Sequence, residues 1–296
     1  MRIVLLILLT ALAPIIWGST YIVTSEFLPA GVPIASAAIR VLPAGLLLLL
    51  ITRVWPQKQQ WLKLALLSVL NIGLFQALLF VAAYRLPGGL AAILGAVQPF
   101  VVMLLIWWVN QKGPSPVAVI ASIASILGMT ALILSPGSQW DLIGILAALI
   151  GAISVGGGVF LTRHWQMNMP TLAFTGWQLV LGGLMLVPVA LLFDAPMPVL
   201  SQPQILAYVY LSLAGSLTGY FLWFNGIHKL SPVAVSSLGL LSPLSAAVLG
   251  WVFLGEALQG TALLGFITVL LSVLIVQWAM LPERPKFPTL FKTIKE

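Results

Sequence analysis

Apolar residues run through this chain in long uninterrupted blocks, and polar residues collect in short breaks between them. About 20 apolar residues are enough for a helix to cross a bilayer. Ten such blocks are read, at approximately 3–24, 32–52, 62–84, 88–109, 116–134, 141–161, 171–192, 203–227, 232–254 and 260–281. Pro, Gly and the scarce charges mark the breaks, as at Leu28-Pro29-Ala30-Gly31, Trp55-Pro56-Gln57-Lys58, Lys112-Gly113-Pro114, Ser135-Pro136-Gly137 and Ala195-Pro196-Met197-Pro198. Continuous rather than alternating runs select helices over barrel strands. The expected fold is therefore an all-α integral membrane protein with ten transmembrane helices.

Composition agrees. Of 296 residues 61% are hydrophobic and 6% charged, with a mean hydropathy of +1.13. A soluble domain carries about 25% charged residues, too many for this chain to supply. The absence of cysteine excludes disulfides and thiol chemistry. Arg2, an apolar run and Ala11-Leu12-Ala13 imitate a signal peptide, but Pro14 follows the small-residue site and the apolar run continues to Val23. The expectation is an uncleaved first helix.

The formal charge of +7 changes meaning once it is placed along the chain. With the N-terminus inside, eleven of the thirteen basic residues face the cytoplasm, Arg85 lies outside and Arg40 falls within a span. Four of the six acids, Glu26, Asp141, Asp194 and Glu256, then face outside. Lys and Arg favour cytoplasmic loops, so both termini are expected there. The basic tail 282–296 reads as an anchor at the lipid surface, with no nucleic acid as partner.

The chain also resembles itself. A shift of 144 positions superposes Leu86, Leu94, Gly95, Pro99, Leu105, Trp107 and Ala118 on Leu230, Leu238, Gly239, Pro243, Leu249, Trp251 and Ala262. Nearer the start of each half a shift of 138 pairs Gly18 with Gly156 and Arg40 with Gln178. The expected halves are 1–136 and 137–281, with five spans each. An odd number makes the second half enter the membrane in the opposite sense, as in inverted-repeat carriers whose site lies between the halves.

These residues resemble a known family. Trp17-Gly18-Ser19-Thr20-Tyr21, Arg40, and the span from Leu86-Pro87-Gly88-Gly89-Leu90 through Gln98-Pro99 are similar to EamA-type carriers of the drug/metabolite transporter superfamily. Leu230-Ser231-Pro232-Val233-Ala234, Ser242-Pro243 and Gly255-Glu256 fit the same pattern in the second half. Gln111-Lys112 departs from it, standing where Gly-Glu is common. Asn71 to Ala77, Phe80 to Arg85, Thr175-Gly176-Trp177-Gln178 and Leu222-Trp223-Phe224 resemble the PecM group, associated with export of the blue pigment indigoidine. The resemblance implies a multi-pass exporter of a small metabolite in a bacterial inner membrane.

Candidate pathway residues follow from polarity at membrane depth. Arg40 is a charge within a span, which costs at least ~2.5 kcal/mol at the bilayer centre. It either anchors an anionic or carbonyl group of a substrate, partners a proton-sensitive acid, caps the carbonyls of a broken helix or snorkels outward. Asn71, Gln76 and Gln98 either bind neighbouring helices or line a site. Asn71 and Gln76 are five apart, about 140° around an α-helix, and need not share a face. Pro99 and Pro243 should each break a helix near mid-membrane and free a carbonyl. Trp17, Tyr220, Trp223 and Phe224 could stack on a flat substrate, and Ser19 and Thr20 sit beside Gly18 where another helix can approach. Gly156-Gly157-Gly158 is read as a tight crossing or a flexible point. Glu26 is a candidate for proton coupling.

The chemistry excluded is as informative. His164 and His228 offer no metal-ligand spacing, no nucleophile–base set is visible, and no Walker-type phosphate loop appears. A metal, a cofactor and an enzymatic activity are not expected. The functional reading is a secondary transporter exporting a small organic metabolite, amino-acid-like or pigment-like, by alternating access. The alternative is a membrane sensor acting on a cytoplasmic regulator. Ala121, Ala124, Ser125 and Gly128 form a small-residue face that meets either a second subunit, in a homodimer, or a neighbouring helix of the same chain.

Overall fold

The computed structural model describes residues 2–85, 95–111, 113–133, 141–255 and 259–281, and all regular structure among them is helical. Helix α1 (Arg2–Phe27) turns at Gly31, whose positive φ suits glycine, into α2 (Pro33–Thr52). Helix α3 (Trp61–Ser68) continues through a π-helical segment (Val69–Gly73) into α4 (Leu74–Arg85). Helices α5 (Gln98–Asn110), α6 (Pro116–Ile133), α7 (Leu142–Trp165) and α8 (Thr171–Phe193) follow. Helix α9 (Gln202–Tyr210) passes through a second π segment (Leu211–Thr218) into α10 (Gly219–Lys229). Helices α11 (Pro232–Leu238), α12 (Leu241–Leu254) and α13 (Thr261–Ala279) complete the fold.

Counting continuous rods, eight helices among the described residues are long and apolar enough to cross a membrane. Two shorter apolar helices, Gln98–Asn110 and Pro116–Ala131, accompany them. The start of the fourth block with its Leu86-Pro87-Gly88-Gly89-Leu90 motif, Lys112, Glu256 and the basic tail lie outside the described residues. Leu50, Leu191, Leu192 and Leu264 are exposed on the outside of the bundle, a surface that suits lipid rather than water.

Pro99 and Pro243 each stand in the first turn of a helix, directly after a break in the helical structure. The chain turns at Ala96-Val97, and Pro99 follows in the first turn of α5. There a missing N–H has no partner to lose. Gly239-Leu240 likewise precede α12, with Pro243 in its first turn.

Polar contacts distinguish the two ends of the bundle. At one end Arg85 pairs with Asp141 at 3.3 Å, and Asp194 accepts from the Ala35 N–H at 2.6 Å. At the other, Trp177 Nε1 donates to the Val54 carbonyl at 2.9 Å, Arg163 donates to the His228 carbonyl, and Lys63 lies over the Trp165 ring.

Packing pairs helices from the two parts of the chain. Helix α2 runs along α8, and α6 along α13. Helix α1 packs on α12 and α10, as α7 packs on α5 and α4. The small-residue face of α6 meets α13 of the same chain: a β-carbon on Gly128 would stand 2.9 Å from Thr268 Cβ and 3.0 Å from the Gly265 carbonyl. Glycines permit the closest crossings. A β-carbon on Gly18 would stand 2.6 Å from the Ser242 carbonyl, and one on Gly156 would stand 3.1 Å from Val101. The three-glycine run is thus a tight crossing at Gly156 and Gly158, while Gly157 faces open space.

Candidate functional site

The cavity at the centre of the bundle has a volume of about 630 Å³, within the usual range for small-molecule sites. Its lining runs from Thr24, Ser25 and Leu28–Ala30, at the Asp194 end, down to Asn71, Gln98 and Phe224. Helices α1, α2, α4, α5, α7, α10 and α12, the first π segment and the turn before α12 all contribute.

Trp17, Thr20, Tyr21 and Thr24 line it from α1. They are spaced i, i+3, i+4, i+7, one face of a helix. Trp17 Nε1 donates to the Gly215 carbonyl in the second π segment at 2.7 Å. Its ring centroid lies 5.0 Å from that of Tyr220 and 5.3 Å from that of Trp223, both tilted. These three rings build an aromatic wall.

Arg40, 4% exposed, reaches the cavity from α2. Its guanidinium rests against Gly215, where a β-carbon would stand 3.2 Å from Nη2. Its Nε has no hydrogen-bond partner, and no carboxylate pairs with it among the described residues. The phenols of Tyr21 and Tyr220 line the same cavity.

Gln76 Nε2 donates to the Tyr220 hydroxyl at 2.8 Å, and Gln76 Oε1 has no partner. Asn71 Nδ2 donates to Gln178 Oε1 at 2.9 Å and lies 3.3 Å from Thr162 Oγ1. Asn71 and Gln76 both border the cavity, although an α-helical count sets them about 140° apart. The reason is the π segment at 69–73: it spends an extra residue in its turn and carries the later positions back toward the face of the earlier ones. Gln98 borders the cavity with Nε2 unpartnered, and Pro243 also lines it, whereas Pro99 is buried in α5 away from the lining.

Two candidates lie elsewhere. Ser19 points off the cavity face, bonded to the Ile16 carbonyl and the Tyr210 hydroxyl at 2.7 Å each. Glu26 is exposed beyond the lining and accepts from Ser25 Oγ at 3.3 Å. Tyr21, Thr24, Gly215 and Thr162 were not singled out from sequence as site residues. The helical spacing from Trp17 identifies Tyr21 and Thr24, and the sequence shifts that pair Asn71 with Gly215 and Thr24 with Thr162 are the signal that could have found the other two.

The cavity is sealed toward the Arg163 end. Gly158 and Thr162 of α7 press on Asn71, so that a β-carbon on Gly158 would overlap Asn71 Oδ1. Beneath them Gln178 is fully buried, and Phe174 stacks edge-on against Phe224 at 5.2 Å.

A multi-pass helical bundle around a small-molecule-sized cavity, polar at its centre and sealed at one end, has the build of a membrane transporter. The chain belongs to the EamA-like transporter family, whose sequence pattern matches it twice, over residues 4–134 and 142–278. It is 40% identical to Protein PecM of Dickeya dadantii over 93% of both chains, which puts it with the PecM group. It is 27% identical to a chloroplastic WAT1-related protein of Arabidopsis thaliana, over 88% of this chain and 67% of that one. A protein of known crystal structure, 15% identical, shares the fold with a TM-score of 0.78 over 93% of this chain and 98% of its own.

Proposed function

We propose that this chain is a secondary carrier that exports a small organic metabolite, amino-acid-like or pigment-like, across a bacterial inner membrane by alternating access. The observation that carries this reading is the central cavity, lined by Arg40, Thr20, Thr24, Gln76 and Gln98, each of which also holds a buried polar atom without a partner. Unpaired buried polar groups are costly, and a ligand that bonds them offsets the cost.

Ten helices in two inverted halves, divided near 136, are supported by contacts that repeat under the sequence shifts. Gly18 meets Ser242 and Ser245, and its counterpart Gly156 meets their counterparts Gln98 and Val101. Both π segments fall at equivalent places. Gln76 bonds Tyr220, 144 positions away and its own equivalent. Two equivalent residues can touch only beside the axis that relates the halves, so the axis passes through the cavity. With Lys and Arg setting the cytoplasmic side, both termini lie inside and the present cavity faces outward. Release inward or outward then alternates as one half rocks against the other.

Comparing metabolites in medium and cytosol with and without the gene identifies the solute. Purified chain in proteoliposomes should then move it faster than protein-free vesicles, and Arg40→Ala should reduce that flux at least tenfold. Flux equal to protein-free vesicles for every solute so identified overturns the proposal.

A further inference from the structure

The two ends of the carrier differ in one place that matters electrically. At the sealed end, Gly158 and Thr162 of α7 cover a neutral pair, the Asn71 amide bonded to Gln178. The shifts of 138 and 144 map these residues onto Thr20, Thr24, Gly215 and Arg40 at the open end. There Thr20 and Thr24 line the cavity, their hydroxyls buried and without partners, and Arg40 lies against Gly215. Sealing this end as the other is sealed would bring Thr20 and Thr24 over the guanidinium. Where Gln178 finds an amide, Arg40 finds a glycine without a side chain. The threonine hydroxyls can accept hydrogen bonds from Arg40 but cannot neutralise its charge, and an isolated buried cation is strongly disfavoured.

We infer that the transported solute is a flat organic monoanion, a carboxylate or a zwitterion presenting one, and that its negative charge on Arg40 is what permits the outward cavity to close. The carboxylate would pair with the Arg40 guanidinium, and the ring would lie along Trp17, Tyr220 and Trp223. The empty carrier is thereby held open, so that it does not cycle without an anion. This rests on the alternating-access reading above.

The chain has no cysteine, so single reporters are clean. Thr24→Cys reports the open end and Thr162→Cys the sealed end, each in full-length chain in nanodiscs treated with N-ethylmaleimide. Without ligand, the first thiol should react at least tenfold faster than the second. Phenylacetate should slow the first and speed the second, while its neutral isostere phenylacetamide should do neither. Arg40→Gln, which installs the side chain found at the equivalent position, should produce the same change with no ligand. If phenylacetamide acts as well as phenylacetate, or the empty Arg40 carrier already exposes both thiols as Arg40→Gln does, the inference is overturned and alternating access stands. A response of Arg40→Gln with none of the Arg40 carrier to phenylacetate overturns the carboxylate assignment. Invariant rates under every condition overturn alternating access itself.

Discussion

At the scale of single residues, the site depends on side chains that are missing as much as on those present. Gly158 lets α7 close over Asn71, and Gly157 beside it faces open space. Alanine at these neighbours should therefore act in opposite directions. Gly158→Ala must displace Asn71 and disturb its bond to Gln178, an overpacking that costs about 1–3 kcal/mol. Gly157→Ala meets nothing and gains up to about 1 kcal/mol of helix propensity. Thermal unfolding of the two variants in one detergent checks the order: Gly158→Ala should melt below the parent chain and Gly157→Ala at or above it. The aromatic wall follows the same logic, since a β-carbon on Gly219 would stand 2.7 Å from the Trp17 Nε1 that bonds the Gly215 carbonyl.

At the scale of elements, helix ends and π turns decide which residues meet. Asp141 caps α7 by accepting from the Gly144 N–H at 2.7 Å. That bond, helped by the nearby Arg85 guanidinium, holds its carboxyl below the usual carboxylate range against the opposing effect of desolvation. A folded-state value lowered in this way gives stability that is present above the unfolded value of about 3.9 and lost as pH falls through the folded one. Melting temperature measured between pH 6 and pH 3 should therefore fall on the acid side. Asp141→Asn, which can still cap the helix, should flatten that part of the profile, and Asp141→Ala should lower the melting temperature at neutral pH as well. The π segment of 69–73 acts further from the helix end, by bringing Asn71 and Gln76 to one cavity.

At the scale of the whole molecule, the charged ends define a direction. Val199 is 99% exposed in the loop beside Asp194, and Gln57 is exposed in the loop after Arg53. In intact cells a membrane-impermeant maleimide should label Val199→Cys directly and Gln57→Cys only after permeabilisation. The reverse pattern would invert the orientation and make the present cavity inward-facing.

The sequence by itself determined the class of protein. Apolar blocks of spanning length and charges confined to their ends leave a helical membrane bundle as the physical solution, because backbone in a bilayer must bond within its own helix. The Gly–Pro spacings and the Trp17 to Tyr21 motif carried the family. Arg40, Gln76 and Gln98 stood out because polar groups within apolar blocks need a reason to be there. Ser19 stood out within the family motif and Glu26 as an acid near a span; in the fold Ser19 bonds away from the cavity face and Glu26 is exposed beyond its lining. Tertiary structure decided the rest. A π turn cannot be read from residue types, since it depends on how neighbouring helices take up an extra residue. Nor can a glycine's role be read before its neighbour is known: Gly215 matters because Arg40, 175 positions earlier in the chain, lies against it. The charge of Arg40 within a span was visible in the sequence, but that its facing position is bare backbone came only from the fold.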